Sequence, residues 1–388
     1  MPHADRGPAM KPELAALAQE IRKLVSAGEI SRARETMAQV LNRLLNRDPM
    51  IGRMNVKLAP IKDIGVLTHH ESLITISGEN RNLYIPNEIL DRNFDGLIPR
   101  YEAIHQLCMT APVLGVTEGQ AIWDLGDAST EGEYPRVCYS SNLPNARLIA
   151  DMYFMLIYRG YSDLRAAIRS RWIAWRERKD AILWRGGTTG KRAYKPELEE
   201  PFRDWGWLQR LRLCDVAAQS PHRESLDIGV VEAGQGGFVQ IWEDFLVRAI
   251  NDSGFVRPRC GKLDYLKYRY IVDIDGNGNA WDGLFTAMLM GATVFKVTSP
   301  SGFRQWYYDK LVPWENYIPV KADLSDFDEQ VEWAFGHPEE CAAMGAAIKA
   351  LADRMTYETE LEYSAHVLRR ALAGPPPEAI GGAGRVDR

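Results

Sequence analysis

Two polar loops of this sequence contain residue types that suit binding of a charged group. The first is Arg185-Gly-Gly-Thr-Thr-Gly-Lys-Arg192, which follows an apolar run. Its small residues let backbone N–H groups approach a phosphate, and Arg185, Lys191 or Arg192 can supply the counter-charge. The loop matches neither GxxxxGK[ST] nor GxGxxG. Taken alone, it is therefore equally compatible with a structural glycine turn.

The second loop is Asp273-Ile-Asp-Gly-Asn-Gly-Asn-Ala-Trp-Asp-Gly-Leu-Phe285, which superficially resembles a calcium-binding loop. A calcium loop of that type needs a glutamate at its twelfth position, where this sequence has Leu284, and it needs flanking helices. The pattern instead predicts a strand end, a tight Gly/Asn turn and a helix that begins near Trp281. The N–H groups at such a helix start can bind an anion.

Three carboxylates could act in acid–base chemistry. Asp124 and Asp127 follow a buried apolar run, and a carboxylate at the end of a strand in a cleft is a candidate general base. The alternative is a helix cap or a surface turn. Asp151 lies within an apolar segment, where it is either a cap for the next turn or a buried functional acid.

The elements that must position these loops alternate between strands and helices. Short apolar runs at 181–184, 226–231, 270–275, 293–297 and 317–321 are separated by helical patterns, which predicts an α/β fold with parallel sheets. Ligands of such sheets bind beyond the carboxyl ends of the strands. If two α/β lobes face one another, all three carboxylate-bearing or glycine-bearing loops can line one cleft.

The remaining segments have simpler patterns. Residues 11–47 predict two amphipathic helices, which form a cap on the body, a dimer contact or a docking hairpin, and 73–85 predicts a β-hairpin. A helix rich in Arg and Trp is predicted over 164–179; it is a solvated face or a contact with an anionic membrane. A long helix is predicted over 341–372, broken near Met355.

Composition excludes several classes of protein. The chain has 388 residues, which suggests two or three domains, and its net charge of −5 argues against binding to nucleic acid. The five cysteines form no CxxC pair, so neither a zinc knuckle nor a disulfide framework is expected. The sequence shows no signal peptide and no apolar run long enough to span a membrane, so we expect a reducing, cytoplasmic location.

Two long stretches, Leu263–Lys296 and Gln305–Leu324, together with Trp184–Gly190 before them, resemble glycosyltransferase family 90. This family includes the Rumi-type protein O-glucosyltransferases and the bacterial LpsA-type lipopolysaccharide glycosyltransferases. The resemblance covers residues 181 to about 355 and is looser over 71–180.

The resemblance implies a GT-B fold, in which two Rossmann-like lobes face each other across a cleft, here with an N-terminal helical extension. On this basis we expect a helical extension at 1–60 and a flexible tail at 376–388. Between them we expect an acceptor lobe at 61–175, joined by a C-terminal helix at about 345–375, and a nucleotide-sugar lobe at 176–344. It also implies an inverting enzyme with a UDP-sugar donor, UDP-glucose or UDP-xylose, and neither metal nor other cofactor.

The resemblance places the catalytic base at Asp127 and assigns acceptor binding to Asp124 and Asp151. Together with the chemistry of the two loops, it assigns donor binding to Arg185, Gly186, Gly187, Thr188, Lys191, Asp275, Asn277, Asn279, Ala280, Trp281, Asp282, Gly283, Leu284 and Arg304.

One residue departs from the family pattern, since Leu284 stands where many relatives have an arginine. A diphosphate then needs another cation, with Arg185, Lys191 or Arg304 as candidates. The alternative function is a non-catalytic nucleotide-sugar-binding protein. The expected acceptor is a glycan or lipid-linked glycan, with lipopolysaccharide core as the first candidate, and the enzyme is expected to work on the cytoplasmic side with peripheral contact to the inner membrane.

Overall fold

The computed structural model describes residues 12–46, 53–91, 98–110, 117–130, 136–190, 205–232 and 243–373. They form two compact units, each built around one β-sheet. The first unit contains the chain up to Gly160 and returns at Tyr357, and the second unit is Tyr161–Thr356. The α/β class predicted from the sequence is confirmed. The opposed arrangement of the lobes stays a prediction.

The sheet of the first unit has six strands in the order β1-β3-β2-β4-β5-β6. Their bounds are β1 Asn55–Ala59, β2 Glu71–Ser77, β3 Asn80–Pro86, β4 Glu118–Asp124, β5 Val137–Cys138 and β6 Arg147–Leu148. β2 is antiparallel to β3 and to β4, and the other pairs are parallel. The predicted hairpin is confirmed as β2–β3, where alternate residues such as Ile74, Ile76, Leu83 and Ile85 are buried.

The helices of this unit are α1 Pro12–Ser26, α2 Ile30–Leu45, α3 Ile61–Ile64 and α4 Ile98–Thr110, with 3-10 and π turns at Asn87–Asp91 and Tyr153–Ile157. α1 and α2 confirm the two predicted N-terminal helices. Asn42 of α2 hydrogen-bonds to the backbone of Val56, and Asn46, at the C-cap of α2, to that of Met54, so α2 is tied to the edge strand β1. The predicted helical extension at 1–60 thus includes a strand of the sheet.

The second unit has a five-stranded, fully parallel sheet in the order β11-β10-β9-β7-β8. Its strands are β7 Lys179–Gly186, β8 Leu226–Val230, β9 Tyr268–Asp273, β10 Thr293–Val297 and β11 Tyr317–Val320. Its helices are α5 Ser162–Ser170, α6 Gln209–Gln219, α7 Glu243–Asp252, α8 Gly283–Met290, α9 Phe327–Gly336 and α10 Pro338–Arg354. All five predicted strands of this half are confirmed within two residues.

One predicted helix is shorter in the structure. The helix predicted over 164–179 ends at Ser170, and a 3-10 turn at Trp175–Glu177 leads into β7. Arg178, in the connection, donates hydrogen bonds to the carbonyl groups of Met290 and Gly291 at the end of α8. The helix predicted over 341–372 is two helices, α10 and α11 Tyr357–Leu372, and the break lies at Met355 and Thr356 as predicted.

The break between α10 and α11 is also where the chain returns to the first unit. The units divide at 160/161 and 356/357, whereas the sequence prediction divides the lobes at 175/176 and 344/345. Among the helices that the structure describes, none is both long and apolar enough to cross a membrane.

Candidate active site

A small, partly open pocket with a cavity volume of about 30 Å³ lies at the carboxyl edge of the parallel sheet, inside the second unit. From β7 the chain passes to β8 on one side and then returns to β9 on the other, so the strand order reverses between β7 and β9. Open α/β sheets bind ligands at this reversal, beyond the strand ends. The pocket is lined by Thr189, Gly190, Leu208, Gln209, Asp275, Gly276, Pro300, Ser301 and Phe303.

Both loops singled out from the sequence contribute to this pocket, and they touch each other. The backbone N–H of Gly190 donates to Asn277 Oδ1 at 3.1 Å. A Cβ on Gly276 would lie 2.8 Å from Thr189 Oγ1, so the close approach of the two loops requires glycine there. A Cβ on Gly186 would lie 2.6 Å from the ring of Trp184, which is likewise too close.

Arg210, in the first turn of α6, holds the two loops together. Its guanidinium donates to the carbonyl oxygens of Asp275 at 2.8 Å, Ile274 at 3.2 Å and Gly187 at 3.1 Å. It also donates to Thr189 Oγ1 at 2.7 Å. Burial lowers the pKa of Arg210 to about 10, so the guanidinium stays protonated at neutral pH and puts a fixed positive charge beneath both loops.

Acidic groups lie at the ends of the same strands. Asp275 is 6% exposed, and burial raises the pKa of its carboxyl group despite hydrogen bonds from Ser299 and Asn279 and the charge of Lys296. The neighbouring Asp273 is buried and accepts a bond from Lys296 Nζ at 2.8 Å. The pocket therefore has the positive charge of Arg210 beneath its loops and the buried carboxyl group of Asp275 at its edge. This arrangement suits a ligand that bears both anionic and hydroxyl groups.

The guanidinium of Arg185 points to the neighbouring strand. It is 8% exposed, forms an ion pair with Asp227, and donates from Nε to the Pro258 carbonyl at 3.0 Å. Asp227 also accepts a bond from Tyr268 Oη at 2.6 Å. Burial opposes the charge of Asp227, but the bonds from Tyr268 and Arg185 outweigh it and lower the pKa of Asp227. Arg185 thus fixes β7 against β8.

The turn after β9 is ordered by its own side chains. Asn279 is buried and donates to Asp275 Oδ1 at 3.2 Å and to the Phe303 carbonyl at 3.1 Å, which links the turn to the loop after β10. Asp282, at the start of α8, forms an ion pair with Lys262. Ala280 and Trp281 are half-buried between them, and Gly283 begins the helix.

Leu284, where the family pattern has an arginine, is 1% exposed and packs in the core of the unit, so its side chain supplies no group for a diphosphate. Of the cations proposed to replace an arginine there, Arg304 is 42% exposed and lies 3.7 Å from the exposed carboxylate of Asp309. Thr188 is buried beside Gly187 in the first loop. Lys191 lies outside the described residues.

The first unit holds Asp124 as the last residue of β4 and the predicted base Asp127 in the loop that follows. Asp124 accepts the backbone N–H of Gly126 at 2.8 Å, which folds the loop back on itself, and burial raises the pKa of its carboxyl group. Asp127 is 38% exposed and accepts a hydrogen bond from Arg100 Nη2 at 2.8 Å. Of the two, Asp127 has the carboxylate that solvent and substrate can reach.

Asp151 is 1% exposed and accepts the backbone N–H of Phe154 at 2.9 Å. That bond caps the π turn at Tyr153–Ile157, in agreement with the first of the two alternatives given for this residue. Within the described ranges no three His, Cys, Asp or Glu side chains are arranged to hold a metal ion. Independence of metal stays a prediction.

Sequence reasoning missed two arginines, Arg210 and Arg100. Each lies in the first turn of a helix and reaches a loop that is distant along the chain, so no local motif marks either one. The available signal for Arg210 is its place at the start of the helix that follows the glycine loop. Arg100 precedes Asp127 by 27 residues and carries no comparable signal.

A known protein family is similar to the segment that supplies about half of the residues lining this pocket. Residues 256–371 match the family model for glycosyl transferase family 90. The matched segment includes β9, β10, β11 and the turn at 274–284, whereas the loop after β7 and Asp127 lie before it.

Curated relatives are similar to parts of this chain. Human protein O-glucosyltransferase 3 is 39% identical over 132 residues, which is 34% of this chain and 23% of the human protein. Uncharacterized protein 035R of Invertebrate iridescent virus 3 is 27% identical over 203 residues, covering 50% of this chain and 17% of the viral protein. The chain thus spans less than a quarter of the length of these curated relatives.

Among solved structures, Anabaena HepE in complex with UDP is similar with a TM-score of 0.33 and 12% sequence identity. The similarity covers 54% of this chain and 52% of HepE.

Proposed function

We propose that this chain is an inverting glycosyltransferase that moves a sugar from a UDP-sugar to a hydroxyl group of a glycan. The observation that carries the proposal is the pocket at the strand reversal, part of which lies in the segment that matches the family 90 model. Its glycine loops suit a diphosphate, and its buried carboxylate suits a hydroxyl group. The names of the relatives favour glucose as the sugar, with xylose as the second candidate.

In the proposed reaction the diphosphate lies against the loop after β7 and the turn after β9. Backbone N–H groups and the charge of Arg210 stabilise the negative charge that develops on the leaving UDP. Arg304 and Lys191 are the side chains proposed to reach the diphosphate. Arg185 acts indirectly, because its ion pair with Asp227 fixes the strand from which the first loop starts.

Asp127 is the proposed general base. Its carboxylate takes the proton of the acceptor hydroxyl group while that oxygen attacks the anomeric carbon from the side opposite UDP. The new glycosidic bond forms as the bond to the phosphate oxygen breaks, so the configuration inverts and the electron pair leaves with UDP. The step requires the two units to face each other with donor and acceptor between them, and no metal takes part in it.

The proposed acceptor is a lipopolysaccharide core or another surface glycan, and the proposed place of the reaction is the cytoplasmic side of the inner membrane. Salt-dependent flotation with anionic liposomes tests the membrane contact, because attraction between exposed charges weakens as salt rises.

The central experiment measures UDP release from UDP-glucose and UDP-xylose by the unaltered chain, by Asp127→Asn and by Asp63→Asn. Asp63 is an exposed carboxylate in α3 of the same unit and serves as the matched control. Loss of a general base lowers turnover by about 10²–10⁴-fold. Near-normal turnover by folded Asp127→Asn removes that residue from the role. Binding of UDP without any turnover by the unaltered chain favours the non-catalytic binding protein.

A further inference from the structure

Arg100 and the loop that carries Asp127 make two contacts. Arg100 lies in the first turn of α4, and its Nη2 donates to Asp127 Oδ1 at 2.8 Å. Nη1 of the same guanidinium donates to the backbone carbonyl of Leu125. One rigid fork therefore holds the loop by its backbone and by its carboxylate at the same time.

The two partners differ in exposure. The Arg100 side chain is 12% exposed, whereas that of Asp127 is 38% exposed. Arg100 is fixed because the next residue in α4, Tyr101, is fully buried in the core. A buried cation on a rigid helix thus restrains a carboxylate that keeps contact with solvent, as positioning of a reactive side chain requires.

The other charged groups around this loop have partners of their own. Arg136 and Glu71 form an ion pair in which both side chains are 2% exposed. Asp124 is turned into its own loop by the N–H of Gly126. Three further ionisable groups pack nearby on other elements: His70, whose carbonyl accepts the Leu125 N–H, and Tyr139 and Asp151, which interact with each other. Arg100 is the cation that these contacts bring directly onto Asp127.

We propose that Arg100 is a positioning residue that orients Asp127 for proton transfer. The inference rests on the proposed function, in which Asp127 is the general base. Because one guanidinium donates both to the loop backbone and to Asp127 Oδ1, the carboxylate cannot turn independently of the loop. The pair therefore sets the direction of the reactive oxygen atoms.

The test measures UDP release from UDP-glucose as a function of donor concentration for four variants of the full chain: Arg100→Met, Arg100→Lys, Asp127→Asn and the double variant Arg100→Met/Asp127→Asn. Arg34→Met is the control, since Arg34 is an exposed arginine of α2 in the same unit. Thermal melting and donor titration accompany each variant, because a positioning role lowers kcat and leaves the KM for the donor unchanged.

We expect Arg100→Met to lower kcat by about tenfold to a hundredfold, the scale of a misplaced catalytic group. Arg100→Lys keeps the charge and loses the fork, so its kcat still falls while the KM for the donor stays unchanged. In the Asp127→Asn background, Arg100→Met causes no further loss, since Arg100 acts through Asp127.

The outcomes separate the two proposals. Turnover that depends on Asp127 but is unchanged by Arg100→Met, or a further loss in the double variant relative to Asp127→Asn, refutes the positioning role alone. Should Arg100→Met fail to fold, the kcat of Arg100→Lys decides, and an unchanged value refutes the role. Full turnover by Asp127→Asn, or no turnover by the unaltered chain with either UDP-sugar, refutes the proposed function and this inference with it.

Discussion

Replacing Arg210 by methionine removes the contact that joins the two loops of the pocket. Methionine keeps most of the aliphatic volume of the arginine stem and loses the guanidinium. The carbonyl groups of Gly187, Ile274 and Asp275 and the hydroxyl group of Thr189 then lose their donor. The change thus isolates the bridge between the loops from the packing of α6.

The size of the effect follows from two opposing contributions. Each of the four hydrogen bonds from the charged group contributes about 1.5–3 kcal/mol. Removing the charge recovers the cost of burying it, which the fall of the pKa of Arg210 to about 10 places at roughly 3 kcal/mol. Water that enters the opened loops replaces part of the lost bonding. We therefore expect Arg210→Met to lower the free energy of unfolding by about 3–5 kcal/mol, as when a buried charge loses its partner.

The assay combines calorimetric melting with titration of UDP-glucose. For a unit of this size 3–5 kcal/mol corresponds to a fall of roughly 6–20 °C in the melting temperature, and donor binding weakens because the loops are no longer ordered in advance. Arg212→Met is the matched control. Arg212 lies two residues further along α6, and its side chain is 32% exposed. Its buried partner Asp215 keeps a hydrogen bond from Gln219 at 2.6 Å when Arg212 is replaced, so we expect a loss of about 1 kcal/mol, well below that of Arg210→Met.

Two results would contradict this reasoning. Equal melting temperatures for Arg210→Met and Arg212→Met would show that the bridge contributes nothing to the fold. A normal donor affinity at a lowered melting temperature would show that the loops keep their arrangement without Arg210.

Two further predictions concern the same loops. Gly276→Ala places a methyl group 2.8 Å from Thr189 Oγ1, so it should weaken UDP-glucose binding about tenfold or more. Gly336→Ala is the control, because nothing lies within 4 Å of the added carbon, and it should leave binding unchanged in the same titration. Equal affinities of the two variants would contradict the need for close contact between the loops. Asp275→Asn should raise the melting temperature at pH 7, because burial raises the pKa of Asp275 and its charged form lowers stability above that pKa. Calorimetry should find no such gain near pH 3, where the carboxyl group is protonated in both the folded and the unfolded chain. The affinity for the donor should fall.

The strands of the second unit could be predicted because each is a short apolar run between polar loops. Leu226–Val230 and Thr293–Val297, for example, are found at their predicted positions within one residue. A fully parallel sheet buries both faces, so its strands stand out in the sequence without any periodicity. Proximity of the loops after β7 and β9 followed from the same pattern, because parallel strands place their carboxyl ends at one edge.

Long-range polar contacts could not be predicted in this way. Arg210 is one of three arginines between 203 and 212, and only the folded chain shows which of them reaches the loops. The alignment of Arg185 with Asp227 depends on the register of β7 against β8, which sets Arg185 opposite Gly229. Apolar patterning fixes which face of a strand is buried, but it does not decide between several polar partners on the other face.

The return of the chain to the first unit at α11 governs the order in which the protein can fold during synthesis. α11 packs against α4 and β4, and the backbone of Leu372 closes directly over Gly119. On the ribosome the second unit is fully synthesised by Thr356, before the first unit has its last helix. When the second unit is complete, the sheet of the first unit therefore still lacks α11, and the apolar surface that α11 covers is the one a chaperone would meet.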